Sequence, residues 1–137
     1  MTIKIGINGM GRIGRMVLRS IIENHGKKFE IKHINNRTGP KVCSALIKYD
    51  SIHGKLNSKI KFDENHININ NKKISFSQET KIEKINWKKF GVEYVFECTG
   101  KFNSKEGLLP HLKNGAKKVV VSAPCEDADN TIVFGVN

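Results

Sequence analysis

Residues 3–15 read IKIGINGMGRIGR, and this stretch decides the fold. Ile3, Ile5 and Ile7 alternate with small or polar residues, the period-two pattern that predicts a strand over 2–8. Gly9-Met10-Gly11-Arg12-Ile13-Gly14 follows at once. Behind it Ile13, Met16, Val17, Ile21 and Ile22 recur at helical spacing as far as His25-Gly26, which predicts a helix with a glycine stop. A Gly-x-Gly-x-x-Gly pattern alone is weak evidence, since glycine-rich turns are common. Placed between a strand and a helix it is the dinucleotide fingerprint. Gly9 then permits the tight turn, Gly11 lets the backbone approach a pyrophosphate, and Gly14 allows close packing of helix on strand. The pyrophosphate would sit on unpaired N–H groups at the helix N-terminus, where the dipole favours negative charge. Arg12 can add a direct phosphate contact.

Outward from this core the pattern repeats. Phe29 to Ile34 reads as a second strand, and 42–49 as a short helix after Pro40. Segments 59–62, 66–69 and 72–76 read as short strands joined by turn residues, an antiparallel hairpin insertion. Val92 to Glu97 is a further strand. Ser104 can cap a helix to Leu112, although Gly107 and Pro110 weaken it. Val119 to Val121 reads as a buried strand broken by Ser122-Ala123-Pro124, and Thr131 to Phe134 as a last short strand. Strand, helix, strand with parallel crossovers gives an α/β fold, a Rossmann-type doubly wound, mostly parallel sheet with a small hairpin insertion. Residues 1–137 are expected to form one dinucleotide-binding domain, with ligands at the strand ends.

The fingerprint also expects an acid about 20 residues on, to bond the adenosine ribose hydroxyls of NAD. Here the second strand runs out through Ile34-Asn35-Asn36-Arg37-Thr38, and the acid is absent. Asn36 stands in its place. A carboxylate would repel a 2′-phosphate; an amide does not, and Arg37 can pair with the phosphate. The alternative is that Asn36 bonds a ribose hydroxyl much as aspartate would, with Arg37 solvated. The cofactor is therefore NADP or NAD, with NADP favoured.

Composition removes other classes. The 137 residues are 38% hydrophobic and 27% charged, which argues against a disordered chain. Cys43, Cys98 and Cys125 are too few and too far apart for a disulfide framework and read as free thiols in a reducing compartment. No apolar run approaches a membrane span, and no targeting segment is read at the N-terminus; a cytoplasmic protein is expected. The net charge of +11 comes almost entirely from scattered lysines, with Arg12, Arg15, Arg19 and Arg37 the arginines and aromatics at 7%. Nucleic-acid readers cluster arginine and interleave aromatics, so a solvated lysine surface is favoured over a nucleic-acid interface. Clustering of the lysines on one face would reverse that reading. The five histidines, His25, His33, His53, His66 and His111, are dispersed and pair with no cysteine at zinc spacing. They are expected to be surface or packing residues, and no metal site is expected.

The chain resembles the N-terminal, dinucleotide-binding part of the glyceraldehyde-3-phosphate dehydrogenase family. IGINGMGRIGR, INN where the family commonly has IND, KYDSIHGK, ECTGKF, GAKKVVVSAP and FGVN occur in the family's order and spacing. The resemblance implies oxidation of an aldehyde phosphate to an acyl phosphate, with a nicotinamide cofactor and inorganic phosphate. A cysteine forms a thiohemiacetal, hydride leaves to the nicotinamide, and phosphate cleaves the thioester, with a histidine as base. It also implies cofactor contacts at Arg12, Ile13 and Asn36, at Thr99 and Gly100 lining the cleft, and at Ser122 near the nicotinamide. At Thr80 the family often has an arginine near the adenine; here Lys81 adjoins it. The YDSIHG segment is implied to be structural and near subunit contacts, in a homotetramer when full length.

The catalytic residues are not expected here. The family's nucleophile lies in a Ser-Cys-Thr-Thr-Asn type motif after FGVN, and that motif is not among these 137 residues. Cys43 and Cys98 are expected to pack, and Cys125 occupies a position often filled by serine. The catalytic domain, and with it the sites for aldehyde phosphate and inorganic phosphate, is expected to be absent from this chain, which should be inactive alone. Erythrose-4-phosphate dehydrogenase, a relative with the same motifs, and a free-standing nucleotide-binding module without catalysis are the alternatives.

Overall fold

The computed structural model describes residues 2–50 and 54–131. The first unit is β1 (Ile3–Asn8), α1 (Arg12–Asn24) and β2 (Phe29–Asn35). It is followed by α2 (Pro40–Lys48), β3 (Tyr49–Asp50) and β4 (Gly54–Lys55). Next come β5 (Ile60–Asp63), β6 (His66–Ile69) and β7 (Lys72–Ser77). Two single turns of 3-10 helix at 82–84 and 88–90 lead to β8 (Tyr94–Glu97), α3 (Lys105–Lys113) and β9 (Lys118–Val121). Seven strands form one sheet in the order β5-β6-β7-β2-β1-β8-β9. From β7 to β9 the five neighbouring strands are parallel, while β5 and β6 run antiparallel on the edge. The expected Rossmann-type α/β architecture is present.

The apolar residues divide between the two faces. Ile5, Ile7, Ile34 and Phe76 pack with Leu18 and Ile21 of α1 and with Cys43 and Ile47 of α2. On the other face Val95 packs with Trp87, Ile82, Ile85, Val92 and Ala116. Gly6 makes room for that second layer: a Cβ there would lie 2.4 Å from the Trp87 ring. The register between β1 and β2 shifts after Ile5. Lys32 is the extra residue of this bulge, so Ile31 pairs with Ile5 and Ile34 with Ile7.

Several expectations need correction. The antiparallel hairpins expected at 59–76 are present as β5, β6 and β7, and what the sequence did not show is that β7 also pairs in parallel with β2, so the hairpins extend the main sheet. Val119–Val121 is not buried. Among the described residues its strand is the last in the sheet order, and Val120 is 47% exposed. Within α1, Gly14, Leu18 and Ile21 face the core, while Ile13 and Met16 are 46% and 40% exposed. The second helix begins at Pro40, whose fixed φ suits a first turn, and gives way at Tyr49 to a short ladder, Tyr49 with Lys55 and Asp50 with Gly54. The third helix runs through Pro110. Ser104 caps it by accepting from the Gly107 N–H at 3.0 Å, and Asp127 accepts from the Lys105 N–H at 3.1 Å. His53 and most of the expected strand at 131–134 lie outside the described residues.

Candidate dinucleotide site

The candidate residues follow the carboxyl ends of the parallel strands. Gly9–Gly14 come after β1, Asn36 and Arg37 after β2, Thr80 after β7, Thr99 and Gly100 after β8, and Ser122 after β9. Helical connections leave β1 toward β2 and β8 toward β9, so the chain diverges between β1 and β8. This is the switch point at which open α/β sheets bind ligands.

The last register row under this edge is polar. Ser77, Asn35, Asn8 and Glu97 pair across four adjacent strands. Ser77 Oγ donates to Asn35 Oδ1 at 2.6 Å, Asn35 Nδ2 to Asn8 Oδ1 at 2.9 Å, and Asn8 Nδ2 to Glu97 Oε1 at 2.7 Å. Buried polar groups cost free energy unless paired, and here each satisfies the next. Asn35 also holds Glu79 from both sides, accepting from its N–H at 2.9 Å and donating to its carbonyl at 3.0 Å. Beneath Ser77 lies His33, 1% exposed, stacked on Phe90 with 4.0 Å between ring centroids. Its ring nitrogens reach Ser75 Oγ at 2.6 Å and Ser77 Oγ at 2.8 Å. Burial, with Lys89 nearby, lowers its pKa to about 4.

At the other end the row terminates in a buried ion. Glu97 and His111 have side chains 1% and 0% exposed, with Oε1 2.9 Å from Nε2. Trp87 Nε1 donates to His111 Nδ1 at 2.9 Å. An indole nitrogen only donates, so Nδ1 accepts and the imidazole proton sits on Nε2, facing the carboxylate. The second oxygen of Glu97 accepts from Thr99 N at 2.9 Å and Thr99 Oγ1 at 2.6 Å. Burial pushes the Glu97 pKa up, but the bonds from His111, Thr99 and Asn8 outweigh it and hold the carboxyl below its ordinary value.

Above this row stands the loop. Gly9 has φ +94°, a conformation disfavoured for side-chain-bearing residues, and a Cβ there would lie 2.7 Å from Thr99 Cγ2. A Cβ on Gly14 would lie 2.0 Å from Gly9 O, so α1 is seated directly on the turn. A Cβ on Gly11 would meet nothing within 4 Å. Gly11 is the N-cap of α1, which has no side-chain cap and no acid in its first turn. The loop therefore presents an open helix N-terminus, the geometry that suits a pyrophosphate. Arg12 and Ile13 are exposed beside it, and Arg15 donates from Nη1 to Met10 O at 3.1 Å.

Asn36 reaches across to the loop. Its Oδ1 accepts from Met10 N at 2.9 Å, and its Nδ2 lies 3.1 Å from both Thr38 O and Cys43 Sγ. The side chain expected at the ribose is thus already bonded at both ends within the protein, while one carbonyl lone pair remains. The Arg37 side chain is exposed, and its carbonyl is fixed by Gln78 Nε2 at 3.1 Å. Ser122 is exposed and donates from both N and Oγ to Glu97 O, at 3.0 and 3.2 Å. Thr80 is exposed.

The cysteines differ from activated nucleophiles, which need a lowered pKa. Burial raises the thiol pKa at Cys43, which is 1% exposed, and pushes that of Cys98 up to about 11. At Cys125, desolvation and Asp127, 3.3 Å away, raise it as well. Among the described residues no group of His, Cys, Asp or Glu is placed to hold a metal ion, and no helix is long and apolar enough to cross a membrane.

Asn8, Asn35, Glu97, His111 and Trp87 are not among the candidate residues above, although Asn8, Asn35 and Glu97 lie within the quoted motifs. The signal from those three was a polar residue closing each of three apolar strands; His111 and Trp87 offered none.

Residues 3–105 match the family described as glyceraldehyde 3-phosphate dehydrogenase, NAD binding domain. Glyceraldehyde-3-phosphate dehydrogenase 1 of Bacillus subtilis (strain 168) is 44% identical over 137 residues, all of this chain. The glyceraldehyde-3-phosphate dehydrogenase of Priestia megaterium is 45% identical over the same length, and that of Thermotoga maritima 41% over 134 residues, 98% of the chain. The chain spans 40% of the length of each of these relatives.

Proposed function

Because this chain belongs to the glyceraldehyde-3-phosphate dehydrogenase family and matches its NAD-binding domain, we propose that it is the dinucleotide-binding portion of a phosphorylating glyceraldehyde-3-phosphate dehydrogenase and that it prefers NADP to NAD. The dinucleotide supplies a hydride acceptor for oxidation of an aldehyde phosphate; this chain's residues bind and orient it. The observation that carries the reading is the uncapped N-terminus of α1 with open space over Gly11. Two phosphates placed there accept hydrogen bonds from first-turn N–H groups and lie along the favourable end of the helix dipole. Gly9 and Gly14 bring the turn, β8 and α1 close enough to hold that opening rigid.

The preference for NADP rests on Asn36 and Arg37. Asn36 is a neutral amide, already bonded to Met10, Thr38 and Cys43, so the end of β2 presents no anion from this residue, and the exposed Arg37 guanidinium adjoins it. A 2′-phosphate meets a cation there in place of a carboxylate. Calorimetric titration of the chain with each dinucleotide tests the reading. Saturable binding of both, tighter for NADP, is expected; binding of NAD alone would refute the preference, and binding of neither would refute the site.

A further inference from the structure

We propose that Glu97 is a positioning residue for the dinucleotide, acting through Asn8 and Thr99 to fix the separation of the two turns that form the floor of the cleft. This rests on the reading that the cleft binds a dinucleotide. The two Glu97 oxygens divide the work. One accepts from Asn8, the last residue of β1 before the glycine loop, at 2.7 Å. The other accepts from the Thr99 amide and hydroxyl at 2.9 and 2.6 Å. The two turns meet where Gly9 faces Thr99 Cγ2.

Orientation of the carboxylate is itself fixed. His111 donates to the oxygen that Asn8 uses, and Trp87 holds His111 in the tautomer that can donate. Four donors thus converge on one carboxylate. A glutamine at this position has one acceptor oxygen for them and sets its own N–H2 against the rest. Beyond Thr99 the turn continues through the Lys101 N–H, which donates to Thr99 Oγ1 at 3.2 Å, and through Gly100 at φ +74°. The wall of the cleft after β8 is therefore shaped by hydrogen bonds that lead back to Glu97.

The test compares dinucleotide affinity with stability in the whole 137-residue chain. Glu97→Gln is expected to weaken NAD and NADP binding at least tenfold. Ile67→Val, a core change in β6 remote from the cleft, lowers stability and is expected to leave both affinities within twofold. A second pair covers the case in which Glu97→Gln does not fold. Thr99→Val keeps the methyl group that faces Gly9 and loses the hydroxyl; Thr99→Ser keeps the hydroxyl and loses the methyl. Positioning through Glu97 requires the valine variant to lose the larger share of affinity, whereas simple packing requires the serine variant to lose it. Equal affinity in Glu97→Gln and the unaltered chain, or a larger loss in Thr99→Ser than in Thr99→Val, overturns the proposal alone. Absence of binding by the unaltered chain overturns the dinucleotide reading and the proposal together.

Discussion

The Met10 N–H donates to Asn36 Oδ1 at 2.9 Å, so the glycine loop after β1 and the turn after β2 are tied by one side chain. If Asn36 also selects the ribose, as proposed above, one residue links cofactor choice to loop geometry. An aspartate could keep the bond to Met10, since it needs only an acceptor there. Its other oxygen would replace the amide that now donates toward Thr38 O and Cys43 Sγ; it would have to turn from the Thr38 carbonyl, with the Cys43 thiol, which now donates to Thr38 O at 3.4 Å, as the donor within reach.

Exchange at this position should therefore alter selectivity without dismantling the loop. Like-charge repulsion between a carboxylate and a 2′-phosphate at about 4 Å is roughly 1–4 kcal/mol for water-like to surface-like dielectric. A charge-assisted bond to Arg37 adds roughly 1.5–3 kcal/mol, less while the arginine stays exposed. Asn36→Asp is expected to shift preference toward NAD, and Arg37→Ala to weaken NADP binding more than NAD binding. Titration of both cofactors against both variants checks this; equal losses in Arg37→Ala with no shift in Asn36→Asp would place ribose selection elsewhere.

Acid should destabilise the fold through His33. Its folded pKa is about 4 against an ordinary 6.5. Above pH 6.5 neither state binds the proton. Between 6.5 and 4 only the unfolded chain does, so stability falls as pH falls, by a total of about 3 kcal/mol from this group. Glu97, held below its ordinary 4.5, contributes stability that begins to be lost only below about pH 4.5. Urea unfolding measured from about pH 7 to about pH 5 should show a loss that His33→Gln removes.

Packing of α1 on the loop leaves no space at Gly14. A Cβ would stand 2.0 Å from Gly9 O, a backbone atom that moves only with the turn. Gly14→Ala is expected to cost about 2 kcal/mol or more, toward the upper range for overpacking, and to appear as a lowered urea midpoint. An unchanged midpoint would mean that the turn shifts freely.

All three thiols, Cys43, Cys98 and Cys125, are held at raised pKa, so the isolated chain should show no dehydrogenase turnover with glyceraldehyde 3-phosphate, dinucleotide and phosphate. Turnover abolished by Cys125→Ser would show that the exposed loop supplies a nucleophile after all.

The β1–loop–α1 unit was legible because hydrophobic period and glycine spacing are local signals. The role of β7 was not, because a short alternating strand reads alike whether it pairs with its hairpin partner or also with distant β2. Exposure of Val120 was hidden for a similar reason: an apolar triplet does not reveal whether its strand is central or at an edge. Residue identities located the glycine loop, but not the Glu97–His111–Trp87 chain, whose members lie 14 and 24 residues apart and meet only through the fold. His111 looked like a dispersed packing residue; its burial agrees with that, while its two directed hydrogen bonds were not visible in sequence.

Gly11→Asp tests the central claim most directly. Gly11 has an extended backbone, φ −71° and ψ −162°, that any residue adopts, and a side chain there meets nothing within 4 Å. Aspartate is a favourable N-cap and its charge complements the helix dipole, so stability should hold or rise, by about 1 kcal/mol at most. The same carboxylate would occupy and electrostatically close the place assigned to the pyrophosphate. Calorimetric titration of the unaltered chain and of Gly11→Asp, with urea unfolding of both, should show undiminished stability and a loss of dinucleotide affinity of about a hundredfold or more, equivalent to roughly 2.7 kcal/mol. Affinity within twofold of the unaltered chain would contradict binding at the glycine loop.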